Sequence, residues 1–337
     1  NPKLSLAGQL NGKADIKGTT TNPRGSYSFA IAGLVTPETR EAGLPLLSVN
    51  LAGNLQGNRA TVKADVRGGS RIGLRVDGTV PLNNRGPLSL AINGNADAAL
   101  ANRSLSGSGQ RVTGKIAVNM KIGGSAARPA ISGSGSLRGG TFRDPLQGIS
   151  LSAISGNFTG RGDQLTIDNF SARTPNGGTI GLKGSVGVNP AAGFPANLQI
   201  SASKAQLISN EIMTLVAGLN LNITGPLATA PVIRGDVRVR SLNVDIPGRL
   251  PASSAPLRGA KHIKPPPQTQ VRLKALAAAR RKRAHSAGPR IDIRIDAPNQ
   301  VFVRGRGIDA ELGGVLRVAG TMKAPRANGG FEIRRGR

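Results

Sequence analysis

The sequence predicts an all-β protein, an elongated, curved and mostly antiparallel sheet with a short basic helical insertion. Three observations support this. Apolar and polar residues alternate in short runs such as LNLNITG, where Leu219, Leu221 and Ile223 share one side. Gly, Pro and Asn separate these runs as turns. A unit with Pro followed four residues later by Gly recurs three times, which is typical of repetitive, solenoid-like sheets.

The Pro-to-Gly unit marks the repeat. Its three copies begin 102 and 94 residues apart. These intervals are too long for one strand pair, so we expect whole segments of sheet to be repeated along an axis. The Pro and Gly residues of the copies are Pro129 and Gly133, Pro231 and Gly235, and Pro325 and Gly329.

The composition argues against a thick core. The chain has 337 residues, of which 38% are hydrophobic and 2% aromatic, with no Trp. A sandwich of this size should have more large side chains, so a curved single sheet around an aliphatic groove is the simpler prediction. About 25 strands spaced ~4.8 Å apart would extend on the order of 100 Å. The absence of Cys excludes disulfides and thiolate chemistry.

The chain divides into three parts. Residues 1–248 read as a repetitive β-sheet groove, in which we interpret KAQLISNEIMTLVAG (204–218) as a strand pair rather than a helix. Residues 249–290 read as a Pro-rich linker and a short basic helix. Residues 291–337 continue the sheet as a truncated C-terminal domain, because FEIRRGR stops without a turn. No initiator Met and no long apolar run are present, so we expect an internal fragment whose membrane anchor lies outside it.

The net charge is +28, and the insertion concentrates it. Nucleic acid is an unfavoured partner because aromatic side chains for stacking are nearly absent. Anionic lipid headgroups are the better candidate, weighed against a merely solvated loop. The candidate headgroup contacts are Lys274, Arg280, Arg281, Lys282 and Arg283.

Catalytic motifs are missing from the sequence. Phosphate-loop, nucleophile-elbow and zinc-protease patterns do not occur, and the two histidines, His262 and His285, lie in the basic insertion. We therefore expect no enzyme activity, no metal site and no cofactor.

The apolar strand positions are the candidate functional site. A continuous aliphatic surface suits acyl chains, which need no specific hydrogen bonds. Two other readings stay open: the sheet could pair with strands of barrel precursors, or it could be an extracellular structural fibre or adhesin with a filled interior. The predicted groove-lining residues are Leu219, Leu221, Ile223, Val237, Val239, Ile291, Ile293, Ile295, Val301, Val303, Leu316 and Val318.

Several stretches resemble one family. SGSGSLRGGTFRDPLQGISL, GRGDQLTIDNFSARTPNGGTIGLKGSV, NLQISASKAQLISNEIMTLVAGLNLNITGPL and IDIRIDAPNQVFVRGRGIDAELGGVLRVAGT resemble the C-terminal region of the TamB family. This family contains AsmA-like bridge proteins and forms the inner-membrane subunit of the bacterial translocation and assembly module. The resemblance covers residues 123–337, and the combination of motifs is more specific than any one of them.

The resemblance implies a fold, a location and partners. It implies a U-shaped "taco" sheet with a hydrophobic interior, in the bacterial periplasm and anchored to the inner membrane by an N-terminal helix absent from this chain. It implies phospholipids as cargo, a TamA/BamA-type outer-membrane barrel as partner through a missing C-terminal segment, and nascent outer-membrane proteins as further partners. It implies roles in phospholipid transport, outer-membrane protein assembly and protein secretion, without catalytic residues.

Overall fold

The protein is one open sheet of 17 strands. A computed structural model describes residues 7–35, 45–83, 86–105, 109–125, 128–189, 192–247 and 288–336. The first nine strands are β1 (Ala7–Thr19), β2 (Asn22–Val35), β3 (Leu47–Gln56), β4 (Arg59–Gly68), β5 (Ile72–Pro81), β6 (Ser89–Asp97), β7 (Arg111–Gly124), β8 (Pro129–Asp144) and β9 (Ile149–Gly162). The others are β10 (Gln164–Arg173), β11 (Thr179–Gly187), β12 (Pro195–Ser209), β13 (Met213–Pro226), β14 (Val232–Asp245), β15 (Arg290–Gly305), β16 (Ile308–Thr321) and β17 (Ala324–Gly336).

Helical structure in the described residues is confined to three short turns. A 3-10 turn at Ala98–Ala101 leads into a four-residue helix α1 (Asn102–Leu105), and a second 3-10 turn covers Pro175–Gly177. The predicted basic helix cannot be compared, because residues 248–287 lie outside the described part. The prediction of a strand pair in 204–218 is confirmed by β12 and β13.

The strands follow one another in sequence order, and β1 and β17 form the two edges. Neighbours are antiparallel with one exception: β14 and β15 run parallel, with Val232 opposite Arg290 and Asp245 opposite Arg304. The chain leaves β14 at one end of the sheet and enters β15 at the other. Parallel neighbours need a long connection, which explains why residues 246–289 interrupt the sequence here.

Each copy of the repeated Pro-to-Gly unit lies at the start of the second strand of a hairpin. Gly133, Gly235 and Gly329 have φ angles of 111°, 146° and 111°. A Cβ atom on Gly235 would lie 2.0 Å from the carbonyl oxygen of Asn220 on the preceding strand, so only glycine fits. The hairpins are β7–β8, β13–β14 and β16–β17. The first two units are six strands apart and the last two are three strands apart, so the units recur at unequal strand intervals along the sheet.

Bulges bend several strands partway along their length. Register shifts occur at Leu137/Gly140 in β8, Ile167/Phe170 in β10, Ala202/Ala205 in β12 and Ala297/Val301 in β15. A bulge bends its strand and increases the local twist, so the bulges account for the curvature of the sheet. Strands also continue through bulges and through glycines at which the sequence predicts strand ends. The strands are therefore fewer than the 25 expected and reach 16 residues in length.

The sheet forms a single layer. Among the described residues no large side chain is fully buried. Within the described part of the chain, the core cluster consists of Val239, Ala297 and Val301, against which Leu215, Leu242, Ile295 and Leu312 pack. The prediction that this chain lacks a thick core agrees with this arrangement.

Candidate functional site

One row of cross-strand neighbours crosses the whole sheet from β1 to β17, and every member is apolar or glycine. In strand order the row contains Leu10, Ile31, Val49, Val66, Leu74, Gly94, Val118, Gly135, Phe158, Ile167, Gly184, Leu198, Ile223, Ile233, Ile291, Gly320 and Pro325. Because side chains alternate along a strand, neighbouring rows at two-residue steps lie on this same face. We call it the apolar face, and the opposite one the polar face.

The register brings all twelve predicted lining residues to the apolar face. Leu219 is opposite Val237, Val237 is opposite Ile295, and Ile295 is opposite Leu316. The next row runs from Leu221 through Gly235 and Ile293 to Val318, and the following one contains Ile223 and Ile291. Beyond the β15 bulge, Val301 is opposite Leu312 and Val303 is opposite Ala310.

Two of the twelve residues differ from the rest. Val239 and Val301 are only 6% and 4% exposed and belong to the core cluster. The other ten are half-buried. The packed pair therefore holds the bent part of the sheet together, and the half-buried residues are the ones a ligand could reach.

Alanine burial shows that the apolar face is the less accessible one. Alanines have the same size wherever they lie, so their exposure reports the local shape of the sheet. Ala30, Ala32 and Ala117 on the polar face are exposed. The buried alanines are on the apolar face: Ala60, Ala172, Ala196, Ala205, Ala217, Ala297 and Ala310. The apolar face is therefore the side of the sheet that solvent reaches less.

Aromatic rings cover glycines on the apolar face, a feature that sequence reasoning missed. A Cβ atom on Gly135 would lie 2.2 Å from Cζ of Phe158, and Phe170 lies equally close over Gly156 at 2.3 Å. Each ring fills the space that its glycine partner leaves. The sequence gives no local sign of such pairs, since their members are 14 or more residues apart.

Tyr27 is the polar exception among these rings. Its hydroxyl donates a hydrogen bond to the carbonyl oxygen of Thr61 at 2.8 Å, and its ring stacks on Phe29 with 6.0 Å between centroids. Burial raises the pKa of the Tyr27 hydroxyl above its ordinary value. The phenol therefore stays neutral and does not place a charge on the apolar face.

Most charged side chains of the strand pairs alternate with the apolar rows and lie on the polar face. Arg317 donates two hydrogen bonds to Asp292, at 2.8 Å from Nε and 3.0 Å from Nη2. This contact holds the pKa of the Asp292 carboxyl below its ordinary value. Exposed ion pairs of this kind add little stability, but they keep the polar face hydrated, whereas the other face is apolar.

The quoted family motifs contain both apolar-face residues and polar residues that hold bulges and turns. In IDAELGG, Glu311 is 8% exposed and accepts a hydrogen bond from the backbone N–H of Gln300 at 3.0 Å, across the β15 bulge. It also pairs with Arg335 on the edge strand. The backbone N–H and the guanidinium hold the pKa of Glu311 below its ordinary value.

The RDPLQG and ARTPNGGT motifs have similar roles. Asp144 is 4% exposed, accepts from the Gln110 side chain at 2.7 Å and from the Gln147 N–H at 3.0 Å, and these bonds lower its pKa. Thr174, also 4% exposed, accepts from the backbone N–H of Gln206 at 3.1 Å. It thereby joins the β10–β11 turn to β12.

The predicted headgroup contacts Lys274, Arg280, Arg281, Lys282 and Arg283 lie outside the described residues, as do His262 and His285. Within the described residues, no group of His, Cys, Asp or Glu side chains could hold a metal ion. In the same residues, no helix has the length and apolar character needed to cross a membrane.

Comparison with known proteins places the chain in a family. A family model, the TamB C-terminal domain, matches residues 168–337, which extends from the bulge in β10 to the end of the chain. No curated protein and no solved structure matched significantly. TamB proteins are non-enzymatic bridge proteins that associate with TamA-type outer-membrane proteins and span the periplasm. The match covers half of the chain, and the chain belongs to the TamB family of the translocation and assembly module.

Proposed function

We propose that this chain is a periplasm-spanning bridge whose apolar groove carries phospholipids between the inner and outer membranes. In this role it also supports outer-membrane protein assembly and protein secretion. The observation that carries the proposal is the unbroken apolar row from Leu10 to Pro325. Sixteen steps of ~4.8 Å give this row a length of about 77 Å.

The physical argument rests on the two faces of the sheet. An acyl chain on the apolar face replaces water there, and this transfer is favourable in proportion to the apolar area covered. It can slide along the row because aliphatic contacts are not directional. Val237, Ile295 and Leu316 are neighbours in one row across three strands. An acyl chain that moves along this row would therefore contact similar aliphatic side chains at each strand.

Location and partners follow from family membership. The proposal places the chain in the periplasm, as part of a protein anchored to the inner membrane. A TamA/BamA-type barrel would be the outer-membrane partner. Lipid movement along a groove needs no catalytic residue and no cofactor.

The decisive experiment uses two adjacent residues on opposite faces. Leu221 lies on the apolar face between Ile200 and Gly235. Asn220 lies on the polar face and accepts from the Gln199 side chain at 3.1 Å. Leu221→Asp places a charge in the groove, and Asn220→Asp places the same charge outside it.

The protein and both variants would be expressed in the periplasm, purified and extracted with organic solvent for lipid mass spectrometry. We expect phospholipid from the parent and from Asn220→Asp, and little from Leu221→Asp. Circular dichroism would check that the sheet is intact, with Ile293→Asp as a second groove variant. Equal lipid in all samples would contradict the groove assignment, and lipid in none would contradict the conduit.

A second function is favoured by the sheet edges. Strand β17 is exposed along its entire length, with Phe331 and Ile333 39% and 69% exposed. An exposed edge can pair with the strand of another protein, such as a nascent outer-membrane protein. Crosslinks from β17 to such a protein in a variant that holds no lipid would favour a strand-pairing scaffold. A structural fibre or adhesin would instead hold no lipid and form no such crosslinks.

A further inference from the structure

Strands β7 and β8 place positive charges directly opposite each other on the polar face. Arg111 is opposite Arg143, and Lys115 is opposite Arg138. All four side chains are exposed. Directly opposite residues have Cβ atoms about 5 Å apart, and like charges in such positions repel. This arrangement works against the stability of the strand pair.

Carboxylates compensate little of this repulsion. Lys115 donates to Asp97 at 2.9 Å. None of the ion pairs among the described residues involves Arg111, Arg138 or Arg143.

The carboxylate nearest in sequence, Asp144, is buried and accepts from Gln110 and Gln147 instead. Elsewhere the sheet does balance such a pair. Arg294 is opposite Arg317, but Asp292 binds Arg317 through two hydrogen bonds. In the described residues the Arg111–Arg143 pair has no such carboxylate, and neither has Lys17 opposite Arg24 on β1 and β2; the β7–β8 cluster differs in bringing two cationic pairs close together.

Hydrogen-bonding side chains lie between the two cationic pairs and beside Arg138. Thr113 and Thr141 lie opposite each other between the two cationic pairs, with their hydroxyl oxygens 2.7 Å apart. Beside Arg138 is a shallow depression of about 330 Å³, and Gly135 is one of the residues that line it. Its polar lining consists of Asn119, Ser134, Ser136 and Asn157.

We propose that this cluster is a binding site for a phosphate-class oxyanion, either free or on a polar headgroup. Arginine guanidinium groups present several donors in a fixed plane, which suits the oxygens of a phosphate group. The anion would turn the repulsion between Arg111 and Arg143 into attraction. Hydroxyl and amide groups in the depression would form hydrogen bonds with the polar part of a phosphate ester. The site is on the face opposite the groove and is independent of lipid conduction.

The test compares anions at constant ionic strength. Thermal unfolding of the full chain would be followed with inorganic phosphate, glycerol 3-phosphate, chloride or acetate. Binding to the folded state raises the unfolding temperature, so we expect both phosphates to raise it and the other anions to have no such effect. In Arg111→Gln/Arg143→Gln, phosphate binding should weaken by at least about tenfold. Without phosphate this variant should unfold no earlier than the parent, because it has lost a repulsion.

The matched control is Lys13→Gln/Lys183→Gln, which removes two positive charges whose opposite residues are Ser28 and Gln199. It should bind phosphate as the parent does. Equal loss in both double variants, or equal effects of phosphate and chloride, would overturn the site. Flotation with phosphatidylcholine vesicles containing phosphatidylglycerol separates the sources. If the parent floats with the vesicles and Arg111→Gln/Arg143→Gln does not, the ligand is a lipid headgroup. If the parent binds phosphate but does not float, the ligand is a free anion.

Discussion

Glu311 accepts a hydrogen bond from the backbone N–H of Gln300, so a carboxylate on β16 closes the bulge in β15. Because the folded state lowers the pKa of Glu311, its contribution to stability is present above the pKa of the unfolded chain. It is lost as the pH falls through the lower folded pKa. We expect the unfolding temperature to drop with acidification through this range. The drop should be smaller in Glu311→Gln, which keeps an acceptor oxygen but cannot titrate.

A Glu311→Gln variant with the same pH profile as the parent would show that the contact is not linked to stability.

Gly235→Ala should destabilise the sheet. The new Cβ would lie 2.0 Å from the Asn220 carbonyl oxygen at a φ of 146°, so the β13–β14 pair must shift. Strained backbone of this kind costs roughly 1–3 kcal/mol. Gly330→Ala is the control, because nothing lies within 4 Å of the position its Cβ would occupy. Urea unfolding of both variants would measure the difference, and equal free energies would contradict the close contact.

Val301→Ala should lower stability without changing lipid binding. Val301 is 4% exposed and packs in the core cluster, so the loss of two methyl groups should cost about 2 kcal/mol. Val318→Ala removes the same atoms from a half-buried position and should cost clearly less. A larger effect at Val318 would mean that the packed and open parts of the apolar face are wrongly assigned.

Thr174→Val should loosen the contact between the β10–β11 turn and β12. The isosteric change leaves the backbone N–H of Gln206 without its acceptor, and an unsatisfied buried donor costs about 1–3 kcal/mol. Hydrogen exchange at Gln206 should accelerate more than exchange at Ile200 in the same strand. Unchanged protection at Gln206 would show that the hydroxyl is not needed there.

Sequence reasoning predicted the strands well where alternation was regular. Alternation in QLTIDNFSA (164–172) and TIGLKGSVGV (179–188) predicts two strands, and these runs correspond to β10 and β11. The segment 204–218 was correctly interpreted as a strand pair, since Leu215 and Ile208 are opposite each other in it. Alternation also assigned Ile291, Ile293 and Ile295 to one face, because side-chain direction in a strand follows from position alone.

Register was beyond the reach of the sequence. Ile223 is opposite Ile233, and Ile233 is opposite Ile291. These pairings depend on bulges and on a parallel strand pair, neither of which a local sequence pattern predicts. The parallel pair was not expected. The hydrogen bond between Glu311 and the backbone N–H of Gln300 could not be predicted either, because a contact between residues eleven positions apart leaves no periodic pattern in the sequence.

The parallel pair of β14 and β15 sets the direction of the last two strands, β16 and β17. In a purely antiparallel sheet, strands three places apart point in opposite directions. Here β14 and β17 are three places apart, yet one parallel step makes them point the same way, as β8 and β14 also do. Pro129, Pro231 and Pro325 therefore all enter from the same side of the molecule. A single long crossover thus allows a sheet to grow by an odd number of strands without turning its repeating unit upside down.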